Sequence, residues 1–428
     1  MLVYVLSKQG RPLMPCSPRK ARLLLNNRKA KVVKRTPFTI QLQYGSTCYT
    51  QEVILGVDAG SKIIGLSASS EKEELFVAEV APRNDVVVLL STRRAFRRAR
   101  RNRTTRYRQP RFDNRVHGKK KGWLAPSVEV KIQEHITPIK RVCAILPITK
   151  VVVETAEFDL QLIKAIKEGK PVPAGEDYQK GEMLGHYNVR QYVLWRDHYT
   201  CQCCGAHGKN IKLHVHHLES RKTGGNAPDN ETTLCENCHE KLHKKLLTEA
   251  QLTKFKWRKR CSTRDAAFMG IMRKALISRL HTELIVPVRE THGYETKYTR
   301  NELLKLKKSH TNDALAITQG RCGFQNSGKY IPQQEKVYQI KPVRHHNRQL
   351  HRATILKGGI RKKNQSPTYV KGFRLFDKVR YQNQECFIWG RRTGGAFLLK
   401  YINGTKVQDG VGYKHLHLLE RNSNYLIS

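Results

Sequence analysis

VILGVDAGSKIIGLSAS, at residues 53–69, reads as two apolar strands joined by a turn that carries Gly60, with Asp58 closing the first strand. ELFVAEV, ending at Val80, reads as a third strand. Much further along, KVVVE at 150–154 is a strand that ends on Glu154, and HTNDALAITQG at 310–320 predicts a helix with Asp313 at its start. His310 stands three residues before Asp313 and shares its helical face. A single acidic residue after a strand is usually a turn residue or a helix cap. Three of them, each ending a strand or opening a helix in one α/β pattern, carry more weight than any one alone.

Charge narrows the partner. The chain has 428 residues, with 80 Lys and Arg against 35 acidic residues and a formal charge of +45. Such a surface repels itself unless a polyanion neutralises it, so nucleic acid is the expected partner. MLVYVLSKQG at the start has too short an apolar run for a signal peptide, and no stretch approaches a membrane span. No membrane partner and a cytoplasmic, prokaryotic setting are therefore expected. The charge is concentrated in STRRAFRRARRNRTTRYRQPRF at 91–112, which holds ten Arg in 22 residues. Arg93, Arg94, Arg97, Arg98, Arg100 and Arg101 fall on more than one face of a helix, and both faces are expected to meet phosphate.

Eleven Cys are present, and five of them lie between Cys201 and Cys238. That clustering reads as a metal site in a reducing compartment, whereas Cys16, Cys48, Cys143, Cys261, Cys322 and Cys386 read as scattered thiols. CQCCG at 201–205 and CENC at 235–238 give two CxxC knuckles when Cys201 pairs with Cys204, a set suited to tetrahedral thiolate coordination of zinc by Cys201, Cys204, Cys235 and Cys238. Cys203 is a rival to Cys204. The 30 residues between the knuckles contain LHVHHLES and GGNAPDN, and CHEKLH follows.

This insert resembles the HNH nucleases, in which a ββα unit holds one catalytic cation and zinc knuckles brace the scaffold. The resemblance implies that His217 is the general base, Asn230 the middle asparagine that orients it, and His239 the last histidine of the motif. His216 stands where many members have an acidic ligand; with His239 it would hold magnesium or manganese. His243 reads as a helix-surface residue, with a second metal ligand as the alternative. The first three motifs likewise resemble the split acidic site of the RuvC branch of the RNase H fold. There Asp58, Glu154 and Asp313 would bind magnesium or manganese, and His310 would act as base or further ligand.

Over nearly the whole chain, the arrangement resembles the IscB proteins, transposon-associated RNA-guided nucleases related to the CRISPR type II effectors. GRPLMP at 10–15 is similar to the motif of their N-terminal domain, RRAFRRARRNR at 93–103 to their bridge helix, and RHHNRQLHRATILKGG at 344–359 to the stretch after the nuclease core. The implied architecture is a multidomain α/β protein: an N-terminal domain (1–50), a split RuvC-like core (51–90, 127–179 and 251–325), the Arg-rich bridge helix and basic loop (91–126), a zinc-braced ββα HNH insert (180–250), and a basic linker with a small C-terminal β-barrel (326–428). Within it, 326–370 reads as irregular, and LIVPV at 284–288 as a strand. The implied function is RNA-guided cleavage of double-stranded DNA by a monomeric ribonucleoprotein. Its HNH site would cut the strand paired with the guide RNA, and its RuvC site the displaced strand. Lys378, Arg380, Arg391 and Arg392 of the C-terminal domain would read DNA flanking the target. The competing readings are an RNA-independent HNH endonuclease of the homing type and a non-catalytic basic RNA-binding zinc protein.

Overall fold

Alternating apolar residues build the first sheet. β1 (Val3–Leu6) pairs antiparallel with β2 (Pro12–Cys16) across a turn in which Gly10 takes φ +83°. Ser17 caps the following helix, Pro18–Asn26, by accepting from the Lys20 amide. β3 (Ala30–Lys34) and β4 (Thr39–Leu42) complete the order β2-β1-β4-β3, with Val5, Leu13, Ala21, Ile40 and Leu42 packed together. The computed structural model describes residues 2–101, 122–155, 165, 169, 171–172, 183–218, 228–247, 264–344 and 367–428. It divides into one unit of residues 1–157 with 268–428 and another of residues 158–267.

The central sheet of the first unit carries the acidic residues. β5 (Ile54–Asp58), β6 (Ile64–Ser69) and β7 (Glu74–Val80) form an antiparallel meander, and β8 (Lys150–Glu154) lies parallel to β5. β9 (Leu213–His217) and β10 (Glu231–Cys235) belong to the second unit. β11 (Val288–Thr291) pairs with β8 and β12 (Tyr338–Pro342) with β7, both in parallel. The chain's last strand, β18 (Tyr425–Ile427), runs antiparallel to β12, so the full order is β11-β8-β5-β6-β7-β12-β18.

β8 is a continuous run of valines because both of its faces are covered. Val151 and Val153 bury with Leu55 and Val57 against helices Pro126–Cys143 and Arg264–Glu283, which supply Ile132, Ile136, Met272 and Leu276. Val152 and Ile54 face the other way, onto Ile317 of helix His310–Gln319. Two glycines bring that helix onto the sheet. A Cβ at Gly56 would stand 2.1 Å from the Ala314 carbonyl oxygen, and one at Gly65 2.0 Å from that of His310.

Three expectations are corrected. The strand read at 284–288 begins at Val288, since its register sets Val288 against Val151 and Thr291 against Glu154. The stretch read as irregular, 326–370, contains β12, whose Tyr338 and Ile340 bury in the main core; its residues 345–366 lie outside the described residues. The C-terminal domain was expected to be a barrel. It is a five-stranded antiparallel sheet formed by β13 (Lys378–Tyr381), β14 (Gln384–Arg391), β15 (Ala396–Lys400), β16 (Lys406–Gly412) and β17 (His417–Glu420). Its order is β16-β15-β14-β13-β17, because the turn Tyr413–His415 carries the chain to the far side of β13; among the described residues β16 and β17 do not pair. Among the described residues no helix is long and apolar enough to cross a membrane.

Helix Pro126–Cys143 holds two buried titratable residues in succession. Burial pushes Glu134 up to about 7, although the Arg83 amide donates to its Oε2 at 2.9 Å. Burial drives His135 down to about 4. Folded Glu134 holds its proton more tightly than the unfolded carboxyl does, so its contribution is present below 4.5 and is lost as pH rises toward 7. His135 is buried neutral, so its contribution is lost as pH falls from 6.5 toward 4. Glu134→Gln keeps an acceptor for Arg83 and removes one side of this opposition. Its stability relative to wild type should grow between about pH 5 and pH 7, by on the order of 1 kcal/mol per pH unit. Thermal denaturation at stepped pH measures this, and a constant offset would refute it.

Candidate functional site

In the second unit three buried thiols pack with Leu234. Helix Val189–Arg196 starts at Asn188, whose side chain accepts from the Gln191 amide. It delivers Arg196, which bonds Asp197 and the Pro228 and Glu231 carbonyls; Asp197 in turn accepts from the Thr233 amide. This pins β10, which pairs antiparallel with β9 and runs into helix Glu236–His243. Sγ atoms of Cys201, Cys204, Cys235 and Cys238 all lie within 4.8 Å of one another, and Cys204 and Cys235 are 3.7 Å apart. A tetrahedron with zinc–sulfur arms of ~2.3 Å has edges of ~3.8 Å. Gly205, at φ +77°, closes the first knuckle by donating its amide to the Cys201 carbonyl at 2.8 Å. Burial, with hydrogen bonds from Cys235 and Cys204, pushes the Cys238 thiol far up. Cys201 is opposed by burial but brought down to about 7 by hydrogen bonds at Cys204, Cys235 and Cys203. Four such thiols cannot all ionise without a cation among them, so the donor set fits zinc.

A second cluster lies on the same ββα unit. His216 of β9 joins His239 and His243, one turn apart on the helix, and each offers one ring nitrogen within 4.8 Å of the others. The Nε2 atoms of His239 and His243 are 3.2 Å apart. Burial, then the fields of His239, His243 and His217, bring His216 down to about 4, and burial also lowers His239. Both imidazoles are therefore neutral near pH 7, the form that ligates a metal. His217 follows His216 and, by strand alternation, takes the opposite face. Its Nε2 lies 3.1 Å from Oε1 of Glu231, its partner across the ladder, and Glu231 is buried. Asn230 is buried too, and its carbonyl accepts from the Leu218 amide at 2.8 Å.

In the first unit Asp58 and Glu154 are direct partners on parallel β5 and β8. Ser309 caps helix His310–Gln319, whose first turn stands over that sheet end. His310 Nδ1 lies 2.7 Å from Asp58 Oδ2, a bond that raises the His310 pKa against its burial. Asp313 is ion-paired to the nearly buried Arg300. Burial raises Glu154, and the fields of Asp58 and Asp313 add to it while a hydrogen bond from Thr296 opposes it. The carboxylates are thus close enough to repel, and each has its own hydrogen-bonding or ionic partner.

Residues 3–181 match the family model described as RRXRR protein, and residues 201–245 match that of the HNH endonuclease. The second unit carries an HNH endonuclease domain. With it comes the metal-dependent nuclease chemistry of that domain, and the four-cysteine cluster points to structural zinc. Arg97–Arg101 spell RRARR within the first matched region. No curated protein matches the chain.

Sequence reasoning missed one residue of the HNH domain and left another open. His243, read as a surface residue with a second metal ligand as the alternative, is exposed and also lies in the histidine cluster. Glu231 stands beside His217, where Asn230 was expected to do the orienting, and only the strand register reveals it. Cys203, the rival to Cys204, lies outside the four-sulfur set.

The cationic residues divide. Arg93, Arg94, Arg97 and Arg98 are exposed on helix Val86–Arg101, while the side chains of Arg100 and Arg101 lie outside the described residues. At ~100° per residue the six positions span about 160°, one broad side of the helix and not two opposite faces. Lys378 is withdrawn as a reader of DNA: it is 4% exposed, pairs with Glu385 at 2.7 Å and donates to Thr36 at 3.2 Å. Arg391 donates to the Thr368 carbonyl, and exposed Arg392 pairs with Asp409 at 3.3 Å. Arg380 is exposed.

Cys204→Ser should take bound zinc from one per chain to none and unfold the HNH domain, since metal binding supplies ~10–16 kcal/mol of folding free energy in such units. Zinc analysis with hydrogen exchange checks this; a folded, zinc-free variant would refute it. His243→Ala should leave zinc in place while weakening manganese binding to the domain by at least the ~10–100-fold that indirect changes cost. Unchanged manganese titration would rule His243 out as a ligand.

Proposed function

We propose that the chain is an RNA-guided double-stranded DNA endonuclease of the IscB kind. In this reading the HNH domain cuts the guide-paired strand, and a RuvC-like site of Asp58, Glu154, Asp313 and His310 cuts the displaced one. The observation that carries it is the in-register pair Asp58 and Glu154 beneath a helix that holds His310 on Asp58 and brings Asp313 to the same sheet end. Three separated segments converging on one acidic cluster is what a split RuvC core requires. The exposed arginines of Val86–Arg101, a formal charge of +45 and the match to the RRXRR model support RNA as the guide's carrier. Arg380 and Arg392 remain the residues proposed to meet flanking DNA.

The residues have distinct tasks. A divalent cation bound at either site supplies Lewis acidity to the scissile phosphate and its leaving oxygen. In the HNH domain His216, His239 and His243 form the ligand set. Glu231, 3.1 Å from the His217 Nε2, holds the ring from across the ladder. His217 takes the proton of the attacking water. Because β9 ends at His217, a phosphate crossing the strand end meets the ligands on one side and the base on the other. In the acidic site Asp58, Glu154 and Asp313 form the ligand set, His310 holds a proton against Asp58, and Arg300 balances Asp313.

Asp58→Ala should abolish displaced-strand cutting and leave a nickase for the guide-paired strand. His217→Ala should leave the opposite nickase, with guide-paired cutting slowed ~10²–10⁴-fold. The assay uses protein expressed with its RNA, magnesium, and plasmids carrying a matched or a scrambled target, with each strand end-labelled. Loss of both cuts from either change would refute the two-site assignment. Sequence-blind cutting with and without RNA would instead favour an unguided HNH endonuclease.

A further inference from the structure

His214 lies beside the histidine cluster without being one of its three members. It stands two residues before His216 on β9, so by strand alternation the two share the face toward helix Glu236–His243, and His217 takes the other. The His214 ring lies nearly flat against that of His239, with centroids 5.0 Å apart and an interplanar angle of 12°. The other two rings meet His239 edge to face, His216 at 79° and His243 at 77°. One flat stack and two edges therefore bound the His239 ring, and the stack alone comes from outside the cluster.

That stack supplies what the His239 ring otherwise lacks. A metal-ligating histidine ordinarily donates its second ring N–H to a carboxylate or carbonyl, and this bond sets the ring's plane. Among the described residues His239 makes one side-chain hydrogen bond, between its Nε2 and that of His243 at 3.2 Å. Two donors sharing a cation on arms of ~2.0–2.1 Å stand ~2.8–3.4 Å apart in octahedral or tetrahedral geometry, so this pair is already at ligating distance. A histidine ring turns easily about its last side-chain bond, and a turn would carry Nε2 away from that position. His214 is itself firmly seated. Its partner across the ladder is buried Leu234, and its own Nε2 is buried 3.8 Å from Glu236 Oε1. Lys212 Nζ holds that same oxygen at 2.6 Å.

We infer that His214 is a positioning residue, whose ring stacks on His239 and keeps the His239 Nε2 beside His243 in the plane that ligates the metal. The inference deepens the proposed reading of His216, His239 and His243 as the ligand set, and rests on it. Coordination draws electron density out of the His239 ring. An electron-poor ring stacks more strongly on a neutral aromatic face than a free imidazole does. The stack thus orients the ligand beforehand and favours its metal-bound form. Any flat aromatic ring at this position serves, because no hydrogen bond from His214 takes part.

Manganese affinity of the full chain tests this. The parent for all variants carries Asp58→Ala and Glu154→Ala, so that the acidic cluster takes up no ion, and free manganese is counted by its electron paramagnetic resonance signal. His214→Leu, which fills the space without a flat ring, should weaken binding ~3–10-fold, the size of one stacked aromatic pair. His214→Phe should restore the parent's affinity. Bound zinc should stay at one per chain in both, which separates loss of the stack from loss of the fold. With His239→Ala already present, adding His214→Leu should change nothing, since the ring it orients is gone. Equal affinity in His214→Leu and the parent overturns the proposal, as does an effect that Phe leaves unrescued or that persists beside His239→Ala. Where His214→Leu loses its zinc, His214→Phe decides alone: the parent's affinity supports the stack, and a weakened one overturns it. Unchanged binding in His239→Ala by itself sinks the ligand set, whatever the His214 variants report.

Discussion

The architecture of the first unit depends on a contact without side chains. Helix His310–Gln319 touches β5 and β6 through the bare backbones of Gly56 and Gly65. Even a methyl group at either position would have to displace a helix carbonyl, so the helix would lift from the sheet. Its height fixes the acidic cluster. His310 reaches Asp58 because its own carbonyl rests over Gly65, and Asp313 follows one turn later. Ser309 secures the helix start by accepting from the Asn312 amide at 3.0 Å, which stops the first turn from fraying away from Asp58. Buried Ser69, Thr318 and Gln319 hydrogen-bond one another at the opposite end of the same interface, so the helix is located at both ends.

The HNH domain solves the same problem differently. Among its described residues, Leu234 packs with buried Cys201, Cys235 and Cys238, and Tyr192, Val193 and Leu194 are buried as well. Ligand geometry adds to packing. Cys235 ends β10 and Cys238 lies on the following helix, so one zinc set fixes the angle between strand and helix. That angle also places His239 and His243 against His216. The four-cysteine set and the histidine cluster thus share one helix, and disturbing the first misaligns the second even though they have no residue in common.

What the sequence made legible follows from how local each signal is. Both CxxC knuckles, the strand ending at Asp58 and the helix opening at His310 are encoded within a few residues, and the structure has Asp58, Glu154 and Asp313 in one cluster. Glu231, Arg300 and the burial of Lys378 were not legible, because each depends on a partner in another element. Glu231 meets His217 only through the β9–β10 register, and Lys378 meets Thr36 across 342 positions of chain. His243 is intermediate: its spacing left a ligand and a surface residue both open, and only the placement of His216 beside it on β9 brings the three rings together. β12 escaped for another reason. Its YQIKP alternates over too few residues to stand out from the basic stretch that follows.

The histidine cluster and the acidic cluster differ in how they hold charge. The first is made of imidazoles, which cost nothing electrostatically when neutral, so three of them can converge with their nitrogens within 4.8 Å. The acidic set cannot do this. Three carboxylates facing one another repel, and the fold answers with Arg300 on Asp313, His310 on Asp58 and a hydroxyl on Glu154. When His310 is protonated, these partners leave a single net negative charge at the cluster. The carboxylates are therefore assembled at little electrostatic cost. Under the proposed RuvC-like reading, a cation would compete with Arg300 and His310 for them, and an arriving phosphate would give those two groups an anion to bind, so metal and substrate would each strengthen the binding of the other.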